Sequence, residues 1–262
     1  MALRGDAGER GGMTITGRQR GRTGHRRQDA TSVWLRTPRA TREGPALSPA
    51  RIVEEAVALL DEAGVEGLTM RRLADRLGAG VTTLYWHVET KDDMVDLALD
   101  AIFGETPVPS EAPDARTWRD GVVGVLNDWR ATMLRHPWSA ALLQRPTLGP
   151  NLLARMEYLQ AALVSAGFSD QRLTAATWTL YNYVMGATVA KASHELSADD
   201  RQTAQQRLHD QRDRYPTLSA SDYMLQDDWD GTFTTGLTYL LDGIAADSAP
   251  VKGADGCEIA SK

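Results

Sequence analysis

The chain has 262 residues, enough for one or two domains. Its 42% hydrophobic and 24% charged residues exclude a wholly disordered chain, and a single cysteine, Cys257, excludes a disulfide framework or a cysteine zinc cluster. No apolar run approaches the ~18 residues of a membrane helix and no apolar leader is present, so a soluble, cytoplasmic protein without membrane contact is expected.

The net charge of −6 hides an asymmetry. Residues 1–46 carry ten Arg against Asp6, Glu9, Asp29 and Glu43, with no hydrophobic period. They read as a disordered basic arm, with Met13 as an alternative start. A solvated tail and a phosphate-contacting arm both fit this composition.

From Leu47 onward helix signals dominate. Ser48 is a good N-cap, Pro49 suits the first helical position, and Leu47 and Ile52 occupy staple positions. Ile52, Ala56, Leu59, Leu60 and Ala63 make one helical face, and Gly64 stops it. Thr69 caps a second, short helix with Leu73, Ala74 and Leu77 on its buried side, and Gly78 ends it. Val81 to His87 then spans one or two turns. Thr90 caps a fourth helix, with Asp93 at N3 and Met94, Val95, Leu97, Ala98, Ala101 and Ile102 as its apolar residues.

Two short helices joined by a Gly-containing turn form a helix-turn-helix pattern. The second fits a DNA major groove and presents its first residues, Val81, Thr82 and Thr83, to base edges. Threonine hydrogen-bonds a base or phosphate, and its methyl matches a thymine methyl. Tyr85, Trp86 and His87 carry polar tips suited to phosphates, although Tyr85 and Trp86 also read as packing residues and a lone His as a structural one. Lys91 sits at a helix start, where charge and free N–H groups attract phosphate. Arg71 is the candidate for a bidentate guanine contact.

Leu47 to about Glu105 resembles the DNA-binding domain of TetR-family transcriptional regulators, through the ungapped stretches Ala63 to Ala74 and Thr83 to Val88. The resemblance implies that Arg71, Val81, Thr82, Thr83, Tyr85, Trp86, His87 and Lys91 contact a DNA operator. Val81, at the first recognition position, has no side-chain hydrogen bond to offer, so the operator should differ from one read by a polar residue there. Charge runs against the DNA reading: residues 47–104 hold five basic groups and eleven acids. The acids fall mainly on the first helix (Glu54, Glu55, Asp61, Glu62) and the fourth (Asp92, Asp93, Asp96, Asp100). Arg71, Arg72, Arg76 and Lys91 are expected around the reading face.

Pro107, Pro109 and Pro113 mark a linker over 106–115. A helix follows from Thr117 to about Arg135, ended by His136-Pro137. Trp138 to Leu143 is a short turn or helix, and Arg145-Pro146 to Pro150 a loop. The next helix carries Leu152, Met156, Leu159, Leu163 and Ala166, closing at Gly167-Phe168 in a Schellman-like ending. Residues 170–193 are apolar nearly all round: Leu173, Thr177, Leu180, Val184, Ala187 and Lys191 on one face, Trp178, Tyr181, Met185 and Val189 on another. Such a helix must be buried on two sides, and a second copy of the chain is the simplest partner. The last helix, about Asp230 to Ala245, would complete a four-helix bundle across a two-fold axis. Residues 195–220 read as a mobile segment with a short helix capped by Ser197, and 248–262 as a disordered tail.

Residues 116–247 resemble the tetracycline-repressor type of C-terminal domain, through Trp118, Leu134-Arg135-His136, Arg145-Pro146 and Ala166-Gly167-Phe168. That type implies a drug–magnesium chelate held by a His and a Glu. Here Leu142 and Leu143 occupy the region of the metal-binding His, about Ala190 that of the Glu, and Pro107 that of another ligand-contacting His. The fold is expected to transfer and tetracycline recognition is not; neither metal nor cofactor is expected. Trp118, Trp129, Met133, Trp178, Tyr181 and Met185, with Asn127, Asn182 and Thr188 as polar groups, are candidates to line an effector cavity or, alternatively, plain core.

No G-x-S-x-G or P-loop occurs. His194-Glu195 lacks the second His of a zinc protease, and Asp227 to Gly231 reads as a capped helix start rather than a calcium loop. The expectation is therefore an all-α protein and not an enzyme: an N-terminal three-helix helix-turn-helix DNA-binding domain (47–105) plus a C-terminal helical ligand-binding and dimerisation domain (116–247). It would act as a homodimeric repressor released from a palindromic operator by an unidentified small-molecule effector. The alternative is a helical small-molecule-binding protein or enzyme whose N-terminal domain no longer binds DNA.

Overall fold

The computed structural model describes Trp34, residues 47–142, 148–193 and 196–248, all within one unit beginning at Ser32. The basic arm other than Trp34, the Arg145-Pro146 loop, His194-Glu195, Cys257 and the tail beyond Ser248 lie outside the described residues. Every regular element among the described residues is helical.

Helix α1 spans Pro49–Gly67, with Pro49 in its first turn and the Ser48 hydroxyl accepting from the Arg51 N–H. Its backbone breaks at Gly64, φ 64°, where the sequence marks the stop, and one further turn reaches Gly67. Helix α2, Met70–Leu77, is capped by the Thr69 hydroxyl and ends at Gly78. Gly78 adopts φ 62° and its N–H returns to the carbonyls of Ala74 and Asp75, so the chain reverses here in a conformation a side chain would strain. The single turn α3, Val81–Leu84, follows at once. Helix α4, Lys91–Gly104, opens with a full capping box: Thr90 accepts from the Asp93 N–H, and Asp93 accepts from the Thr90 N–H. Leu59, Leu60, Leu68, Leu73, Leu84 and Met94, all at most 1% exposed, make the centre on which these helices meet.

Helix α5, Trp118–Arg135, leads into a 3-10 segment, Pro137–Leu142, and then α6, Pro150–Ser165. The expected ending of α6 is present: Gly167 takes φ 92° and the Phe168 N–H bonds the Leu163 carbonyl at 3.1 Å. Helix α7, Asp170–Ala192, packs on α5 and α6, and α10, Trp229–Ser248, packs on α7. Asp230 ties three of these helices, lying 2.7 Å from both Arg130 of α5 and Lys191 of α7. The Asp228 carboxylate accepts from the Gly231 N–H, so Asp227 to Gly231 is a helix start.

Between α7 and α10 lie α8, Ala198–Asp210, and α9, Pro216–Ala220. Ser197 caps α8, as its sequence indicates. The organising residue is Gln205, 2% exposed, whose amide donates to the Ser219 carbonyl and accepts from the Met224 N–H. A polar centre of this kind gives no hydrophobic period, which is why α9 is not visible in the pattern.

Candidate operator interface and its link to the second helix group

The outward edge of α3 is built on one buried residue. Leu84 is 0% exposed and anchors α3, while Thr82 and Thr83 face outward on the same turn. Val81 is half-buried against the core. Tyr85 is 46% exposed and Trp86 66%, so the indole of Trp86 is not core. His87 is half-buried and Lys91 half-buried at the start of α4. Arg71 is exposed on α2, with no hydrogen bond or ion pair to the described residues.

Arg72 and Arg76 do something else. Arg76 turns back to α1, where its guanidinium lies 3.1 Å from Glu55 and 2.6 Å from Glu62. The hydrogen bond from Arg76 holds Glu62 below the usual carboxylate range. Arg72 donates to the Gly67 carbonyl at 2.6 Å. The acids are likewise partly spoken for. Asp93, Asp96 and Asp100 are each at most 6% exposed, and Glu55 and Glu62 are paired. Part of the formal negative charge of this region is therefore buried or paired along α1, while Asp75, Glu89 and Asp92 are exposed.

Helix α4 is clasped to α6 at both ends of their contact. Asp100 of α4 accepts from the Asn151 and Leu152 N–H groups, both at 3.1 Å, satisfying the first turn of α6. Arg155 of α6, 1% exposed, donates to the carbonyls of Phe103 and Thr106, satisfying the last turn of α4. Burial pushes Asp100 up from its ordinary value, against the hydrogen bonds it accepts. Burial likewise pushes Arg155 down. The approach at the α6 start leaves no space for a side chain at Gly149, where a Cβ would collide with the Asp100 carboxylate. A second tie joins α1 to the end of α5: Asp61 receives the Trp138 indole N–H at 2.7 Å and faces His136 Nδ1 at 2.8 Å. His136 Nε2 lies 3.0 Å from Glu105, which also accepts from Arg135.

The aromatic candidates separate. Phe103 of α4, Trp129 of α5, and Tyr181 and Trp178 of α7 form a chain of edge-on rings, with centroids 5.7, 5.5 and 5.2 Å apart. Trp129 is 0% exposed and its indole N–H has no partner. Met133 and Met185 are buried. Trp118 stands apart, against Phe168. Asn127 is exposed and donates to its own helix at Val123, Thr188 does the same at Val184, and Asn182 is exposed. Phe103, Asp100, Asn151 and Arg155 were not singled out from the sequence. A lone arginine amid the apolar period Leu152, Met156, Leu159 was the available signal for Arg155. In the regions of the tetracycline-repressor metal ligands, Leu142 is buried, while Ala190 and Pro107 are exposed; Leu143 lies outside the described residues.

Comparison with known proteins places both halves. Residues 52–98 match the family model for bacterial regulatory proteins of the tetR family, and residues 109–248 the tetracyclin repressor-like C-terminal domain. An HTH-type transcriptional regulator of Saccharopolyspora erythraea is 43% identical over 218 residues, 82% of this chain and 92% of the relative. The class A tetracycline repressor protein of Escherichia coli is 28% identical over 80% of this chain and 96% of its own length. Among solved structures, the Streptomyces coelicolor TetR family protein ActR in complex with (S)-DNPA superposes with a TM-score of 0.68 at 29% identity, covering 78% of this chain and 99% of ActR. The chain belongs to the TetR family of transcriptional regulators, DNA-binding proteins of the ligand-binding repressor type with a helix-turn-helix head and a tetracycline-repressor-like C-terminal domain.

Proposed function

We propose that this chain is a homodimeric repressor that binds a near-palindromic operator and is released from it by a small-molecule effector. The observation that carries the reading is the outward edge of α3: Thr82, Thr83, Tyr85 and Trp86 are exposed together on a turn whose own anchor, Leu84, is fully buried. Arg71, Val81, His87 and Lys91 flank that edge and are assigned to the operator with it. A dimer would set two such edges about 34–36 Å apart, on successive major-groove faces.

The operator-binding and effector-binding domains divide at residues 106–115. The partner surface is assigned to α7 and α10, which leave Trp178, Val189 and Tyr239 exposed at 51%, 37% and 71%. The effector site is assigned to the aromatic chain through Trp129, Tyr181 and Trp178, with Met133 and Met185 behind it and Trp118, Asn127 and Asn182 at its margins. The unpartnered Trp129 indole N–H supports it, since a buried donor is normally paired. ActR, with (S)-DNPA bound, supports a small organic effector. Phe103 would pass the effector's presence to α4. Release requires that the effector bind the DNA-free arrangement more tightly than the DNA-bound one.

A gel shift with the DNA upstream of the chain's own gene tests the reading. The expected result is a sequence-specific complex at low salt, weakened by Thr82→Ala and by Trp86→Ala. Absence of any specific complex would leave a helical binding protein without operator function. Sedimentation at micromolar concentration should show a dimer, and a monomer would remove the α7–α10 interface.

A further inference from the structure

We propose that Tyr239 and Gly243 of α10 are the self-recognition elements of this chain. The tyrosine of one copy fills a notch at the glycine of the other, and the contact selects a second copy of this chain over related regulators. The proposal rests on the α7–α10 partner surface assigned above and names what makes that surface selective. Tyr239 is 71% exposed, more than any other large hydrophobic side chain among the described residues. One turn further along α10, a notch of about 410 Å³ opens between α7 and α10. Gln171, Arg172, Ala175 and Thr179 of α7 form one wall, Gly243 lies on the other, and Phe168 completes it.

The glycine is the mark of an outside partner. Helix α10 holds three glycines, each of which costs helix stability. Two of them answer to their own chain: a Cβ at Gly231 would collide with the Asp228 carboxylate, and one at Gly236 with the Tyr183 hydroxyl. At Gly243 a Cβ would meet nothing within 4 Å, so the room left there serves no residue of the same copy. Tyr239 and Gly243 are four positions apart, which puts them on one face and about 6 Å apart along the axis. A two-fold axis crossing α10 between them, level with Leu241, runs the two copies of α10 antiparallel. Each Tyr239 is then set against the glycine of the other copy, and the contact occurs twice, as an isologous interface requires. The chemistry matches a phenol. Ala175 and Gly243 leave space for the ring. The Arg172 guanidinium, 5.7 Å from the Phe168 ring, offers a cation to the face of a second ring. Gln171 and Thr179 offer hydrogen bonds to the hydroxyl. A copy with bulk at position 243 is refused, and a copy without a ring at 239 leaves the notch empty; such paired acceptance and refusal is what makes a surface specific.

The test is complementation between two variants of the full chain, Gly243→Leu and Tyr239→Ala, carrying tags of different mass and followed by sedimentation over a concentration series. Gly243→Leu blocks both notches and should weaken the homodimer about 100-fold, whereas Tyr239→Ala empties both and should weaken it about tenfold. Mixed in equal amounts, the two should form a heterodimer tighter than either homodimer. One Tyr239 there enters one open notch, and across the axis the added leucine meets the shortened side chain. Circular dichroism and melting check that each variant folds; Ala175→Leu, on the opposite wall, takes the place of Gly243→Leu if that variant does not. A notch-filled chain that dimerises like the wild type overturns the proposal and leaves the α7–α10 dimer standing. So does a mixture without preference for the heterodimer. A monomeric wild type overturns the dimer reading and this proposal together.

Discussion

Arg71 and Arg76 lie five positions apart on α2 and have the same chemistry, yet the structure gives them different work. Arg76 spends its guanidinium on Glu55 and Glu62 of α1. Arg71 is exposed and directed at nothing in the described chain. If Arg71 makes a bidentate guanine contact, Arg71→Ala should cost specific operator binding about 1–3 kcal/mol, roughly 5- to 150-fold, and relax the preference at one base pair. Arg76→Ala should leave operator affinity near wild type. Lys91→Ala should weaken binding to all sequences alike and reduce the salt slope by about one. Binding isotherms at three salt concentrations separate these outcomes, and a sequence-independent loss in Arg71→Ala would move that residue to the phosphate class.

At the scale of elements, helix ends were the legible part and helix contacts were not. Ser48, Thr69, Thr90 and Ser197 each cap where the sequence places them, because a cap is a local bond between residues three apart. Gly78 and Gly167 stop their helices for an equally local reason, positive φ. The outward exposure of Thr82, Thr83, Tyr85 and Trp86 was legible too, since a short helix after a glycine turn leaves few ways to face. The clasp between α4 and α6 was hidden, because Asp100 and Arg155 lie 55 positions apart and nothing local distinguishes a carboxylate that caps another helix from one in solvent. The bonding of Asn127 was hidden for the opposite reason: at helical spacing its amide finds its own backbone first. The capping box of α4 can be weighed directly. Thr90→Ala should lower stability by about 1 kcal/mol, a shift of roughly 2–4 °C in melting temperature for a chain of this size, whereas Thr90→Ser should restore most of it. Equal losses in both variants would mean that the methyl, not the hydroxyl, matters.

Across the whole molecule, the head and the second helix group communicate through two connections of different chemistry. The Asp61–His136–Glu105–Arg135 chain is polar and partly exposed. Burial alone would raise Glu105, but the hydrogen bond from Arg135 and the nearby His136 ring outweigh it and hold the carboxyl below its ordinary value of 4.5. A depressed acid stabilises the fold above its unfolded pKa and loses that contribution as pH falls through its folded one. Acid unfolding should therefore steepen below about pH 4.5 in the wild type and less so in Glu105→Gln. The α4–α6 clasp is buried, and its acid, Asp100, is pushed up by that burial rather than held down. Arg155→Met keeps the volume and strips the carbonyls of Phe103 and Thr106 of their donor, at about 1–3 kcal/mol for each group left unpaired. Adding Asp100→Ala opens the other end. With the clasp gone, the head is held to the second group by the Phe103–Trp129 contact and the Asp61–His136–Glu105–Arg135 chain. The double variant should then melt calorimetrically in two steps, the head first, where the wild type melts in one. A single transition at reduced temperature would instead assign the coupling to the Asp61–His136 chain, and Asp61→Ala in the same background should then split it.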